Sequence, residues 1–334
     1  MLKIIDVDGK EFVFQAQLQV TDSLDGNNYI EAEFLPNHVN NYFLKDLSPF
    51  WKIMFEGNSY TIVICETKTI GNHQSKRIKA ILSAYDRLST LYMHRRFKKK
   101  AHTLDEFLTE VFYGTGLRYR IEGAFGSSVI FGLGGGDIKL NCFKRVLKTF
   151  NAEFVYVHNV FVVKKRIGEE KNVKLHTRIN VANISKSVDC QKFYTGGLGY
   201  GDYSTESVPE DDEPWEYAQI IVDYTSPYQA IIGRREAPPI KNGNIKYKET
   251  MIAQIKELVE SSISREIQMD IIEVKNSTTD TSINLLPGDT VEVYYYNLKI
   301  DEKIRVQERK RKFDGKGNLL DGDYLFSTSS MKVF

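Results

Sequence analysis

A glycine-rich stretch before a predicted helix is the first candidate for chemistry, because glycine loops at helix starts can hold phosphate groups. Residues 132–136 read Gly-Leu-Gly-Gly-Gly, but a Walker loop ends in Gly-Lys-Ser/Thr, whereas Asp137 follows here and would repel phosphate. Neither this stretch nor the glycine-rich run 196–201 fits the G-x-G-x-x-G spacing of dinucleotide sites. We predict a flexible turn for the first stretch, and a loop or distorted edge strand for the second.

The side chains that could act as nucleophiles, bases or metal ligands are scattered along the chain. Nucleophilic catalysis needs a Ser or Cys beside a His, yet no G-x-S-x-G, H-E-x-x-H or H-x-x-H pattern is present. Distant residues can still converge in space, but no spacing motivates a site. We therefore predict no catalytic, cofactor-binding or metal-binding residue, and we interpret Cys142 as a small residue of a helix. The residues considered are His38, His73, His94, His102, His158, His176, Cys65, Cys142 and Cys190.

Three charged runs have alternative interpretations. Residues 210–213 (Glu-Asp-Asp-Glu) carry oxygen ligands suitable for Ca²⁺ but lack EF-hand spacing, so a solvated surface loop is favoured. The basic runs at 95–100 and 305–312 fit either contact with nucleic acid or an exposed strand edge that its charges protect from aggregation.

Composition narrows the class of protein. The chain has 334 residues and a formal net charge of +1, which argues against a general nucleic-acid binder. An apolar fraction of 42% with 12% aromatic residues supports folded cores, and the length suggests two or three domains. The sequence predicts neither a membrane helix nor a secretion signal, and its three widely spaced cysteines favour folding in the cytoplasm.

The elements change character along the chain. Strand patterns dominate residues 1–95, including a hairpin at Asp8-Gly9 and one long strand over 11–20. Residues 101–166 then predict two amphipathic helices, the first opened by a capping box at Thr103-Leu104-Asp105-Glu106, and a hairpin around His158-Asn159. Strand patterns return over 172–225 and 265–334, interrupted by an α-containing insertion at 226–264 whose helix spans about 245–262. The fold class is therefore α+β and multidomain, with two β-barrel or β-sandwich domains, a small α+β domain between them and a helical insertion in the second.

This order of domains resembles the tail-tip proteins of siphophages that infect Gram-positive bacteria. The most distinctive stretch runs from Ser226-Pro227-Tyr228 to Gly233-Arg234-Arg235-Glu236, supported by the sequences at 140–153 and 286–293. The family is known as prophage endopeptidase tail proteins, or as the N-terminal hub module of tail-associated lysins, and is similar to baseplate hubs of contractile phages.

The resemblance implies a structural virion protein made in the bacterial cytoplasm and located at the tail tip. It implies a homotrimeric hub of six tube-like β domains that caps or gates the tube. Its implied partners are the distal tail protein, the tape-measure C-terminus and receptor-binding or tip components. Phage DNA would pass transiently, without sequence-specific binding or stable membrane insertion. Longer relatives carry a peptidase domain, whereas no catalytic residue is expected here. Two alternatives stay open: a peptidoglycan-degrading endopeptidase, and the hub of a phage-tail-like secretion or injection device.

Overall fold

The structure is a computed structural model and describes residues 2–70, 73–98, 100–176, 181–190, 192–204, 213–262, 264–271, 284–295 and 300–327. These residues form two compact units. The larger unit contains the chain up to Ile184 together with Gln268–Phe326, and the smaller unit is Ser185–Ile267. The predicted predominance of β-structure with few helices is confirmed.

Seven strands from the N-terminal part form an antiparallel array in the larger unit, in the order β3-β4-β7-β6-β5-β1-β2. A short helix, α1 (Ser83–Ser89), follows the last of them. The strands are β1 (Lys3–Ile5), β2 (Glu11–Val13), β3 (Gln17–Ser23), β4 (Tyr29–Phe34), β5 (Lys52–Phe55), β6 (Asn58–Ile70) and β7 (His73–Leu82).

The predicted single strand over 11–20 is wrong, because the chain breaks between β2 and β3. The buried amide of Asn40 fills the gap: its Oδ1 accepts from the Gln15 backbone N–H, and its Nδ2 donates to the Gln15 carbonyl. The predicted apolar face survives the break, since Phe14, Leu18 and Val20 are all buried. A distant side chain thus replaces strand pairing at this point.

The middle of the chain folds as the sequence predicts. Thr103 caps α2 (Leu104–Phe112) in a capping box with Glu106, and two residues with positive φ, His158 and Asn159, close the β13–β14 hairpin. The elements here are β8 (Tyr92–Met93), β9 (His102–Thr103), α2, β10 (Arg118–Ile121), β11 (Ser127–Ser128), β12 (Asp137–Ile138), α3 (Lys139–Thr149), β13 (Glu153–Val157) and β14 (Val160–Lys164).

One hydrophobic core joins these helices to the N-terminal strands. Phe143 on α3 packs against Phe154 on β13, with ring centroids 5.0 Å apart. The Phe154 ring in turn stacks on Tyr85 of α1 at 6.0 Å. A single hydrophobic cluster therefore contains buried side chains from Leu2, just before β1, to Val163 in β14. The division at residues 95–101 into separate domains stays a prediction.

The rest of the chain completes a sheet of thirteen strands and adds the smaller unit. The sheet order is β16-β20-β23-β22-β3 followed by the N-terminal strands, with β21 pairing with β22 and β15 pairing with β21. The elements are β15 (Glu170–His176), β16 (Val181–Asp189), β17 (Gly196–Gly201), β18 (Ile220–Thr225), α4 (Gln229–Ile232), β19 (Glu236–Asn242), α5 (Lys248–Glu260), β20 (Ser264–Ile271), β21 (Thr290–Tyr295), β22 (Ile300–Phe313) and β23 (Leu319–Ser327).

The same strand order occurs twice in this sheet. In the N-terminal array, five successive strands are arranged β3-β4-β7-β6-β5. In the C-terminal array, five successive strands of the sheet are arranged β16-β20-β23-β22-β21. The two arrays have matching chain order and matching neighbours, so the strand topology is repeated.

The smaller unit packs α5 on the three-stranded sheet β18-β17-β19. Residues 196–201, predicted to be a loop or distorted edge strand, form its central strand, so that prediction is wrong. A Cβ on Gly199 would lie 2.4 Å from the Met251 sulfur and 2.9 Å from Ile255, which explains why glycine lets the helix approach. The unit begins at Ser185, earlier than the predicted insertion at 226–264.

Candidate functional site

One strand joins the two repeated arrays. Residues 300–305 of β22 pair with β21, and residues 308–313 of the same edge pair with β3. The second pairing is antiparallel and runs from Glu308 opposite Ser23 to Phe313 opposite Leu18. The first and last parts of the chain therefore meet in a continuous sheet, and β22 is the strand that makes the connection.

Charged side chains reinforce this junction. Arg309 donates to Oδ2 of Asp22 from Nη2 at 2.8 Å and from Nε at 3.1 Å. Arg311 donates to the same oxygen at 3.0 Å and forms a two-pronged pair with Glu56 at 2.6 and 2.8 Å. Asp22 thus receives two guanidinium groups, which is a strong, directional arrangement of charge-assisted hydrogen bonds.

The junction is shielded from water. Only 6% of the Arg309 side chain and 16% of the Asp22 side chain are exposed. Beside them, burial, followed by the charges of Asp22 and Glu56, raises the pKa of Tyr60 above its ordinary value. Phe313 closes the end of the pairing with its ring 4.9 Å from that of Phe55. The charges at this site are therefore structural and already paired.

A third arginine of β22 ties the middle of the chain to the same strand. Arg305 donates to both carboxylate oxygens of Glu153 on β13 at 2.6 Å, and to the carbonyls of Gly288 and Ile167 at 2.9 Å. Burial would raise the pKa of Glu153, but hydrogen bonds from Arg305 and from the Ile167 backbone N–H outweigh it and lower that pKa. The carboxylate therefore stays ionised and paired.

These contacts bear on the two interpretations of the basic run at 305–312. Strand β22 has neighbours on both edges, so the run is not an exposed edge. Its arginines are occupied by Glu153, Asp22 and Glu56, as described above, and Lys310 pairs with Glu308 at 3.1 Å. The interpretation of this run as an exposed, charge-protected edge is therefore wrong, whereas contact with nucleic acid stays a prediction.

A cleft of about 460 Å³ lies where the N-terminal strands, the β13–β14 hairpin and the β22 junction meet. Its lining mixes charged residues such as Asp22 and Arg309 with apolar ones such as Phe154 and Pro287. Asp22 and Arg309 are paired with each other there, and no histidine is among the described residues that line the cleft. We therefore interpret the cleft as a gap between packed strands and not as a binding site.

The basic run at 95–100 has a different environment. Arg95 pairs with Glu110 at 2.8 Å, while Arg96 and Lys98 are exposed. The run lies against the glycine-rich turn: Phe97 N–H donates to the Leu133 carbonyl, and a Cβ on Gly134 would lie 2.1 Å from the Arg95 carbonyl oxygen. The glycines at 132–136 thus permit close backbone approach and positive φ, in agreement with the predicted turn.

The candidate catalytic and metal-binding residues do not converge in the part of the chain that the structure describes. His102 packs edge-on against Phe97, and its Nδ1 lies 3.5 Å from Glu106. Cys142 is buried on α3 as predicted for a small helical residue, and burial raises its pKa. Within the described ranges, no group of three or more His, Cys, Asp or Glu side chains is placed to hold a metal ion. Residues 210–212 of the acidic run lie outside those ranges.

The stretch at 226–236 has a structural role in the smaller unit. Arg235 donates to the carbonyls of Phe193 and Cys190, and its backbone N–H donates to the Thr195 hydroxyl. Arg234 lies between Asp223 and Glu236, at 2.8 and 2.7 Å. The bonds of Arg235 connect the segment that precedes β19 to the segment that precedes β17. Among the described residues, no helix is long and apolar enough to span a membrane.

Two family models match this chain. The prophage endopeptidase tail model matches residues 169–319, and the N-terminal tail tube TT1 domain of Tal matches residues 1–83. The chain is similar to prophage tail proteins. The predicted resemblance to prophage endopeptidase tail proteins is therefore confirmed, whereas the Gram-positive host stays a prediction. No curated protein matches the chain in sequence.

Solved structures share its fold over almost the whole length. The prophage tail protein gp18 from Listeria monocytogenes EGD-e has 15% identity and a TM-score of 0.68, covering 99% of this chain and 95% of that one. The 43 kDa tail protein of prophage MuSo2 from Shewanella oneidensis has 12% identity and a TM-score of 0.71, with 98% and 97% coverage. An E. coli component of the type VI secretion system, similar to bacteriophage T4 tail proteins gp27 and gp5, has 10% identity and a TM-score of 0.55, with 100% and 77% coverage.

Proposed function

We propose that this chain is a structural, non-enzymatic protein of a phage or prophage tail tip, and that three copies form a hub that caps or gates the tail tube. The observation that carries this proposal is the repeated strand order. Residues 1–83, which match a tail tube domain, contain β1–β7, and the order of β3–β7 recurs in the C-terminal array. One copy would thus contribute two tube-type arrays, and three copies would contribute six.

The charged junction supports a structural role for the chain. Asp22 accepts hydrogen bonds from Arg309 and Arg311, and Arg311 also pairs with Glu56, so these contacts hold the two arrays together within one sheet. In this proposal the distal tail protein lies above the hub, the tape-measure C-terminus reaches into it, and receptor-binding components attach below. DNA would pass through the ring without being bound by sequence.

Measuring the mass of the assembly tests the hub. The purified chain, alone and mixed with the distal tail protein of the same prophage, would be studied by sedimentation velocity and by electron microscopy of the complex. We expect a species of three copies and a ring-shaped projection, with the distal tail protein promoting its formation because assembly depends on concentration and partners. A monomer in every mixture would contradict the proposal.

A wall-clearing assay tests the enzymatic alternative. Purified protein would be incubated with Gram-positive cell walls while turbidity is followed, with lysozyme as the positive control. We expect no clearing. Clearing that is lost when one His or Cys is substituted would replace the structural proposal with a hydrolase.

The similarity to an E. coli type VI secretion component favours one further candidate, the hub of an injection device. Particles from induced cells, labelled with antibody against this chain, would separate the two. Label at the tip of tails attached to DNA-filled heads supports a phage tail, and label only on headless tubes supports an injection device.

A further inference from the structure

The long hairpin of the N-terminal array has an open edge. Strand β6 pairs with β7 along its length, but its other edge pairs with β5 only from Asn58 to Thr61. The register of the hairpin shifts between Ile62 and Ile64, where this pairing with β5 has ended. Among the described residues, nothing forms a backbone hydrogen bond with the outer edge of residues 64–69.

The repeated topology shows what fills such an edge. In the C-terminal array β22 takes the place of β6, and Arg305 pairs with the first residue of β21 as Thr61 pairs with the first residue of β5. Three residues after Arg305 the chain reaches residue 308, and three residues after Thr61 it reaches residue 64. Residues 308–313 of β22 therefore correspond to residues 64–69 of β6. Residues 308–313 are the ones that pair with β3, the outermost strand of the N-terminal array in this order.

The chain also carries an unused counterpart of β3. By the same alignment β16 takes the place of β3. Among the strands that the structure describes, β16 stands at the end of the thirteen-stranded sheet and pairs with β20 alone. Within each copy, β22 and β3 pair and so join the two arrays. The corresponding edges of β6 and β16 are both left open by the described residues, and together they could form a second joint of the same kind. Because unpaired strand edges readily accept another strand, these two edges form a complementary pair.

We infer that the open edge of β6 in one copy pairs with the open edge of β16 in a second copy. This repeats between copies the joint that β22 and β3 make within a copy. The contact is head-to-tail, so it closes into a ring when the rotation per joint divides a full turn. Glu66 and Lys68 on the exposed hairpin would limit pairing with unrelated strands. The inference deepens and rests on the proposed homo-oligomer, and it names the strands that build it.

Hydrogen exchange of the full chain over a range of concentrations tests the pairing, with sedimentation velocity reporting the mass of the assembly in the same samples. We expect peptides covering 64–70 and 181–189 to exchange at least ten-fold more slowly once the assembly forms. Peptides covering 308–313 should be protected at all concentrations, because that edge is filled within one copy.

Paired substitutions separate the backbone contact from side-chain effects. Neighbouring residues of a strand point their N–H groups to opposite edges of that strand. Proline has no N–H, so one of the two substitutions Thr67→Pro and Lys68→Pro removes a hydrogen bond to β7. The other removes an N–H that points to the open edge. We expect one of them to keep the wild-type melting temperature while weakening assembly at least ten-fold. Thr67→Ala and Lys68→Ala keep the N–H groups and should assemble normally.

The outcomes distinguish the two proposals. A three-copy assembly without protection of both strands, or with both proline variants assembling normally, would overturn the β6–β16 pairing and leave the hub proposal standing. A chain that remains monomeric with its tail partners would overturn both.

Discussion

Arg309 and Asp22 lie on opposite strands of one sheet, with Nη2 2.8 Å from Oδ2, although most of the chain separates them in sequence. Both side chains are largely buried, so each charge depends on the other for solvation. This pair identifies the place where the N-terminal and C-terminal arrays become a single sheet.

Removing the Asp22 charge should destabilise the larger unit strongly. Asp22→Ala would leave Arg309 and Arg311 facing each other without their shared carboxylate, and breaking a buried pair in this way costs about 3–5 kcal/mol. The free energy of unfolding from urea titration is the measurement.

The matched control for this substitution is Glu33→Ala, which removes an exposed carboxylate 3.7 Å from Arg77 on the same sheet. A surface pair of this kind contributes about 0–1 kcal/mol. Equal effects of the two substitutions would show that the junction adds no more stability than a surface pair.

The Arg305–Glu153 pair should make stability depend on pH in the acid range. The pKa of Glu153 is lowered in the folded protein, so its ionised form stabilises the fold at pH values above the ordinary carboxyl pKa of about 4.3. That contribution is lost as the pH falls through the lower, folded-state pKa. We expect Glu153→Gln to be less stable than wild type at pH 7, with the difference shrinking as the pH drops below about 4.3. Thermal melts from pH 7 to pH 3 measure it, and a constant difference across that range would contradict the assignment.

Helix α5 should tolerate a charge on one face and not on the next. Met251 is fully buried against the glycines of β17, whereas Ile252 is 40% exposed. Met251→Asp would bury an unpaired carboxylate, which costs several kcal/mol or forces it to take up a proton. Ile252→Asp should cost less than about 1 kcal/mol. Thermal unfolding of both variants is the test, and equal melting temperatures would refute the placement of the helix.

The glycine-rich turn should be sensitive at one position in particular. Gly134→Ala would place a methyl group 2.1 Å from the Arg95 carbonyl oxygen, whereas a Cβ on Gly136 meets nothing within 4 Å. Both residues have positive φ, so each substitution strains the backbone by about 1 kcal/mol or more. Only Gly134→Ala also displaces the basic run. We expect its melting temperature to be clearly lower than that of Gly136→Ala, and the reverse order would contradict the packing of residues 93–96 on this turn.

Local signals in the sequence were sufficient for the middle of the chain. The Thr103 and Glu106 capping box begins α2, and His158-Asn159 closes a hairpin, because both depend on residues within a few positions of each other. The buried stripe of α5, including Met251 and Ile255, likewise follows from helical periodicity. The prediction of a structural tail protein came from the order of domains and from the stretch at 226–236, which resemble a known family.

Features that depend on contacts between distant residues could not be predicted from the sequence. The break before β3 exists because Asn40 bonds to Gln15, and periodicity carries no sign of that contact. The basic run of β22 looked exposed because the carboxylates of Asp22 and Glu153 lie far away in the sequence. The glycines of β17 resembled a loop because only the approach of α5 explains them.

The pairing of Leu18 with Phe313 also constrains how the protein can be synthesised. Strand β3 leaves the ribosome early, yet its partner strand emerges only when nearly all of the 334 residues have been made. Until then the nascent chain presents an unfilled sheet edge that another nascent chain on the same messenger could occupy. Slow or stalled translation before residue 308 would therefore favour misassembled chains over complete subunits.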